Sequence, residues 1–279
     1  MPGKQPAPGR PGKSAQRRPA PVPRGRRPDG EGWLYGRHAV AAALANPERS
    51  WRRLLILPGH EGEAAALIEK AQARQSGAAE ALQVIDRAAF DRLLPAGAVH
   101  QGWALEVEPL EPSDLDDALR AAALLPGRAV IIVLDQASDP HNVGAVLRSA
   151  AAFGAAAVIL AGHAAPPAAG ALAKAASGAL DLVKLVRAGN PAQTLDRLKA
   201  AGYWCVGLDE AAPAALAALD LGPRVALVLG SEGRGLRRLV RERCDWLARL
   251  PTRPRLPSLN LSNAAAIALY ELMRGEPAA

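Results

Sequence analysis

The stretch Leu256-Pro257-Ser258-Leu259-Asn260-Leu261-Ser262-Asn263 runs into the small and apolar segment AAAIALYELM at 264–273. That segment reads as a helix, and a helix start needs a short polar side chain to accept from the free amides of its first turn. Ser262 or Asn263 can supply it. Yet Ser258, Asn260, Ser262 and Asn263 follow in quick succession, with Leu259 and Leu261 between them. The surplus of polar side chains is more than capping asks for. What it serves depends on where the segment sits in the fold.

Upstream, the chain alternates between two periodicities. Short β-like runs at Arg53–Leu57, Leu82–Ile85 and Trp103–Val107 alternate with helical stretches at His38–Leu44, Glu61–Ala73 and Ala88–Leu94. This predicts a small α/β domain over residues 31–109. Residues 110–127 make a connector with a helix in it. A second series over 128–279 has strands at Ala129–Asp135, Ala157–Leu160, Val183–Val186, Trp204–Gly207 and Val225–Gly230, with helices between them. Alternation of that kind implies a mostly parallel sheet, whose ligand sites lie beyond the carboxyl ends of its strands.

Three segments at such ends carry unusual residues. After the first strand comes DQASDPHNVGAVLRSAAAFG at 135–154. Asp139-Pro140 makes a turn, and Asn142 can cap the helix that follows. Arg148 lies inside that helix, and its neighbours three and four residues away are Gly144, Ala145, Ala151 and Ala152. None is acidic, so no local ion pair explains the arginine, and the small side chains leave room for something to approach it. A solvated surface arginine is the plain alternative. The second end reads VALVLGSEGRGL at 225–236, with glycines at 230, 233 and 235 and Glu232 at the tip. The glycines suit close backbone approach and positive φ. The pattern is neither a Walker A loop nor a G-x-G-x-x-G fingerprint, and a plain glycine-rich turn also fits it. The third segment is the opening stretch.

Composition bounds the rest. The chain has 279 residues, 49% of them hydrophobic, so a sizeable core is available, though with 4% aromatics Ala, Leu and Val must do most of the packing. No apolar run approaches the ~18 residues of a membrane span. Cys205 and Cys244 stand alone, which fits a reducing cytoplasm better than a disulfide scaffold, and the scattered histidines predict no metal site. The net charge of +7 is local: residues 1–30 hold eight Lys/Arg against Asp29, leaving 26 basic and 26 acidic residues in the rest. That segment also holds eight prolines, so it is expected to be disordered, either a polyanion-binding arm or a solubilising leader. It has no apolar stretch of signal-peptide type.

Taken together and in this order, the motifs resemble the SpoU family of RNA ribose 2′-O-methyltransferases, over nearly everything from Gly32 to Met273. The family's first motif looks like Asn142 through Arg148, its second like Gly230-Ser231-Glu232-Gly233, and its third like Ser258-Leu259-Asn260. Tyr35-Gly36-Arg37-His38-Ala39-Val40, His100-Gln101-Gly102 and Lys174-Ala175-Ala176-Ser177-Gly178-Ala179 add matches to the branch that methylates a guanosine of 23S rRNA. One departure stands out. Family members usually carry a glycine where this chain has Thr252-Arg253-Pro254-Arg255-Leu256-Pro257, which predicts a stiffer loop whose arginines can touch RNA phosphates.

The resemblance implies an α/β fold with a trefoil-knotted, mostly parallel sheet and a small amino-terminal α/β substrate-binding domain. It implies a homodimer formed through the knotted domains, for which the helix 264–273 with Leu269 and Leu272 offers a face. S-adenosylmethionine would be the cofactor, enclosed by Gly230, Leu250 and Leu259. Asn142, Arg148, Glu232, Ser258 and Asn260 would surround the reacting ribose. The methyl donor arrives activated, so the protein must position the hydroxyl and help remove its proton. Family analogy makes the arginine the base, but a guanidinium stays protonated in proteins. A grip on the phosphate beside the ribose, stabilising the developing alkoxide, is the other role. Two rival functions stay open: the same reaction on a tRNA or another rRNA nucleotide, and a non-catalytic ribosome-binding factor, against which the filled motifs argue.

Overall fold

The computed structural model describes residues 32–72, 82–111, 113–162, 166, 171–253 and 258–275. The basic tail 1–30, Ala73 and the 254–257 part of the loop, with Arg255, lie outside the described residues.

In the amino-terminal half, β1 (Trp33–Tyr35), α1 (Arg37–Ala45), β2 (Trp51–Ile56), α2 (Glu61–Gln72), β3 (Leu82–Val84), α3 (Arg87–Leu93) and β4 (Trp103–Val107) follow in order. The sheet runs β1-β4-β2-β3, with β4 antiparallel to both neighbours and β2 parallel to β3. Trp103, Leu54, Ile56 and Val40 are buried at its centre. Next comes α4 (Leu115–Ala123), started by a capping box between Asp114 and Asp117.

The second half contains β5 (Ala129–Asp135), α5 (Pro140–Ala152), β6 (Ala157–Ala161), α6 (Ala171–Ala176), β7 (Lys184–Ala188), α7 (Pro191–Ala200), β8 (Trp204–Leu208), β9 (Ala214–Ala215), β10 (Arg224–Leu229), α8 (Arg238–Arg243), β11 (Trp246–Arg249) and α9 (Leu261–Met273). Every strand pair in its sheet is parallel, in the order β7-β6-β5-β10-β8-β11-β9. Both faces are covered, which is why β5 reads as an unbroken apolar run. Its Val130, Ile132 and Leu134 pack with α5, α6 and α9, while Ala129, Ile131 and Val133 pack with α4, α7 and α8. After β5 the chain builds outward to β6 and β7, then crosses to β8 and returns to lay β10 between β5 and β8. The crossovers change direction at the β5/β10 boundary, and a switch point of this kind leaves a crevice beyond the strand ends.

Three details correct the sequence reading. The helix after β5 begins at Pro140 with Asp139 as its cap, accepting from the amide of His141, so Asn142 is not the cap but a residue of the first turn. The last helix begins at Leu261, and Asn260, not Ser262 or Asn263, caps it. Leu269 and Leu272 are buried in their own domain's core, so they offer no outward face; Ile267 and Tyr270 are the exposed apolar residues of α9.

Candidate active site

The crevice beyond β5 and β10 gathers the three motifs. From β10, Gly230 enters a tight loop in which the Gly235 amide donates to the Ser231 carbonyl at 2.9 Å. Gly233 and Gly235 both have positive φ. Gly230 is required for a different reason than a ligand: a Cβ there would lie 2.0 Å from the Gly235 carbonyl carbon. The loop's own return forbids any side chain.

That return carries Glu232 to the tip, where its Oε1 accepts from Asn142 Nδ2 at 2.9 Å and from Asn260 Nδ2 at 2.7 Å. The Asn260 amide group also donates to Asn142 Oδ1 at 3.1 Å, and the Leu261 backbone amide reaches Glu232 Oε1 at 3.4 Å. Asn260 does two jobs: its Nδ2 joins this network while its Oδ1 accepts from the Ser262 amide and hydroxyl. Of the polar residues before α9, Asn260 thereby both caps the helix and holds the glutamate, and Ser262 supports it. Glu232 Oε2 accepts no hydrogen bond among the described residues.

Beside this node lies a cavity of about 500 Å³. Gly230, Leu250 and Leu259 line it, as do Glu232 and Ser258, and so does Thr252 from the departing loop. Sequence reasoning missed Asp209, Glu210 and Arg241 on its wall, where Arg241 Nη1 pairs with Asp209 Oδ2 at 2.7 Å. The signal that could have found the first two is their place just after a strand, at the sheet's carboxyl edge.

Arg148 stands apart from the node. It is exposed, makes no hydrogen bond or ion pair among the described residues, and lies about 9 Å along α5 from Asn142. Its small neighbours are partly accounted for by packing: a Cβ on Gly144 would meet the Ala175 Cβ at 2.4 Å, so the glycine lets α5 and α6 touch.

The remaining motif residues gather around the start of α1, the Gly178 stretch reaching it across the seam from the other half. Gly178 has φ +91°, and a Cβ on it would lie 2.9 Å from Ala39 Cα. The Gln101 side chain accepts from the Arg37 amide at 3.2 Å, tying the 100–102 segment to the start of α1. Alongside, Asp181 accepts from Arg49 Nε at 2.7 Å, Arg49 Nη2 at 3.0 Å and Asn46 Nδ2 at 3.0 Å.

Among the described residues no cluster of His, Cys, Asp or Glu is arranged to hold a metal ion, and no helix is long and apolar enough to cross a membrane. The family model described as SpoU rRNA Methylase family matches residues 129–270, and the model for RNA 2′-O ribose methyltransferase substrate binding matches residues 33–113. The chain is 37% identical to the 23S rRNA (guanosine-2′-O-)-methyltransferase RlmB of Coxiella burnetii, over 86% of this chain and 94% of that one. Identity to RlmB of Xylella fastidiosa strain 9a5c is 38%, over 87% and 96%. Among solved structures, the SpoU methyltransferase AviRb of Streptomyces viridochromogenes, in complex with the cofactor AdoMet, superposes with a TM-score of 0.67 at 25% identity, covering 88% of this chain and 90% of that one. With both family models matched and relatives this similar over most of their length, the chain belongs to the SpoU rRNA methylase family.

Proposed function

We propose that this chain transfers a methyl group from S-adenosylmethionine to the ribose 2′-hydroxyl of a guanosine in 23S rRNA. The observation that carries the reading is the junction of Asn142, Glu232 and Asn260 beside a cavity of about 500 Å³. The named substrates of the RlmB relatives support the choice of RNA. The cavity suits the donor. Leu229, Leu236, Leu250 and Leu259 give it apolar walls, while Glu210 brings a carboxylate to a cationic molecule with ribose hydroxyls and Asp209 is held by Arg241.

Bound there, S-adenosylmethionine supplies an electrophilic methyl group on a sulfonium, and the protein must orient the accepting hydroxyl. Asn142, Asn260 and the Leu261 amide fix Glu232 through Oε1, and we assign the target hydroxyl to its unpartnered Oε2. Ser258 offers a second hydroxyl contact on the same wall. Arg148, with no protein partner among the described residues, grips the neighbouring phosphate and stabilises the developing alkoxide.

In the same reading, residues 31–109 present the RNA, 110–127 join, and 128–279 form a trefoil-knotted methyl-transfer domain. The late insertion of β10 between β5 and β8 supports such threading. A homodimer would use Ile267 and Tyr270 of α9, with Phe153 packed edge-on to Tyr270 at 6.3 Å. The basic tail 1–30 would add polyanion contacts, and the setting would be the cytoplasm. Mass mapping of 2′-O-methylated nucleotides in cells lacking the gene tests the proposal. A single missing 23S guanosine methyl, restored in vitro by the purified chain and S-adenosylmethionine, is expected. A missing methyl on tRNA would move the substrate, and an unchanged map with no transfer in vitro would sink the reading.

A further inference from the structure

Asp135, the last residue of β5, is 0% exposed. A carboxylate so buried needs close donors. It finds them on one residue across the switch point, Arg237. The Arg237 backbone amide donates to Oδ2 at 3.1 Å, and its Nε donates to Oδ1 at 2.8 Å, with Nη2 on the same oxygen.

Arg237 is the residue at which loop 230–236 ends and α8 is capped. The loop's entrance is already fixed, because Leu229 pairs with Leu134 in the sheet. Its exit is fixed to the very next residue of β5. Both stems are therefore tied to consecutive positions of one central strand, and between them only a short bridged turn carries Glu232.

We infer that Asp135 is a positioning residue for methyl transfer: through Arg237 it holds loop 230–236, and with it Glu232, in register with Asn142 and Asn260. This rests on the function proposed above. Arg237 keeps a side chain 39% exposed, so water can satisfy its guanidinium when the carboxylate is weakened. The consequence falls on the loop. A displacement of ~1 Å at reacting groups costs about a hundredfold in rate.

The test uses the full chain with S-adenosylmethionine and a 23S rRNA transcript, comparing parent, Asp135→Asn, Glu232→Gln and the double variant. Asp135→Asn keeps the side chain's shape but presents an amide donor, or at best one oxygen, to Arg237. The expected result is a kcat lower by about a hundredfold with KM for the RNA within about threefold of the parent. Adding Glu232→Gln should then change kcat little, because that carboxylate is already out of place; a merely structural role for Asp135 would leave the two effects multiplying. Should Asp135→Asn fail to fold, Arg237→Lys enters the same cycle, since lysine keeps the charge and loses the fork. Parent-like kcat in a folded variant, or multiplicative effects, would overturn the inference while leaving the proposed function standing. Absence of transfer by the parent would overturn both.

Discussion

Two polar networks join distant parts of this chain, and they differ in one respect that separates architecture from chemistry. At the seam, Asp181 meets Arg49 with side chains only 1% and 5% exposed, and both carboxylate oxygens are engaged. At the node, Glu232 and Asn260 are exposed, and Glu232 keeps one oxygen without a partner among the described residues. The first network is closed on itself, as a joint must be when burial makes an unpaired charge expensive. The second is held from one side and open on the other. A polar group that the protein orients but leaves unfinished is a group oriented toward something else.

The sharpest way to break that contrast is at the seam. Arg49→Ala leaves the buried Asp181 carboxylate with Asn46 as its remaining side-chain donor among the described residues. Removing one partner of a buried pair typically costs about 3–5 kcal/mol. Denaturant unfolding should record a loss of that size, while the folded fraction still binds S-adenosylmethionine. A loss below about 1 kcal/mol would mean that the seam tolerates an open charge and is no joint.

The next effect in size lies on the open side. Arg148→Lys keeps the charge but loses the planar fork that can hold two phosphate oxygens at once. Single-turnover methyl transfer should fall about a hundredfold, roughly 2.7 kcal/mol in barrier, with stability within about 0.5 kcal/mol of the parent. Parent-like turnover would return Arg148 to the solvated surface. Glu232→Gln is the milder change, since Oε1 can remain an acceptor for Asn142 and Asn260. Charge-assisted hydrogen bonds are about twice as strong as neutral ones, so a rate loss on the order of tenfold is expected, again without a shift in unfolding. A melting temperature that drops with Glu232→Gln would make the node structural like the seam.

Much of this was legible in the residues, and the gaps have a common cause. Ala129–Asp135 and Trp103–Val107 are legible to their ends, the first as an apolar run closed by Asp135 and the second as a short β-like run between Gly102 and Glu108. Strands β1, β9 and β11 give no such signal: Trp33–Tyr35 and Ala214–Ala215 are too short to show a period, and Trp246–Arg249 spans only four residues. The caps of α5 and α9 lie two to three residues before the expected ones, Asp139 for Asn142 and Asn260 for Ser262 or Asn263, because several residues in each segment could serve. Asn260 wins in the last helix because the same side chain also meets Glu232, 28 positions away. The pairs Arg49–Asp181 and Asp135–Arg237 were beyond reach, since each depends on which strand lies beside which. A motif names the residues at strand ends; strand order decides which of them meet.

The smallest effect tests the core of the second half, through two thiols packed with β8, α7 and α8. Burial pushes the Cys205 thiol up from an ordinary 9.0 to about 12, and Cys244 likewise to about 12. Each sulfur sits as a neutral donor, Cys205 toward the Leu195 carbonyl at 3.8 Å and Cys244 toward Val240 at 3.3 Å. Below the ordinary thiol value both the folded and the unfolded chain hold these protons, so the thiols contribute no pH dependence there. Between 9.0 and about 12 the unfolded chain has released them and the folded chain has not, so the unfolded state binds fewer protons and stability falls as pH rises. Tyr203, raised by burial, and Lys199, raised chiefly by its hydrogen bond to Asp245, push in the same direction at higher pH. Unfolding midpoints should therefore be level in this respect near pH 8 and decline near pH 10.5. The decline should be shallower in a Cys205→Ala, Cys244→Ala double variant. At about pH 8 a thiol-selective reagent should label Cys205 of the native chain only as fast as the protein opens. Rapid labelling without unfolding would show that the core around β8 opens locally.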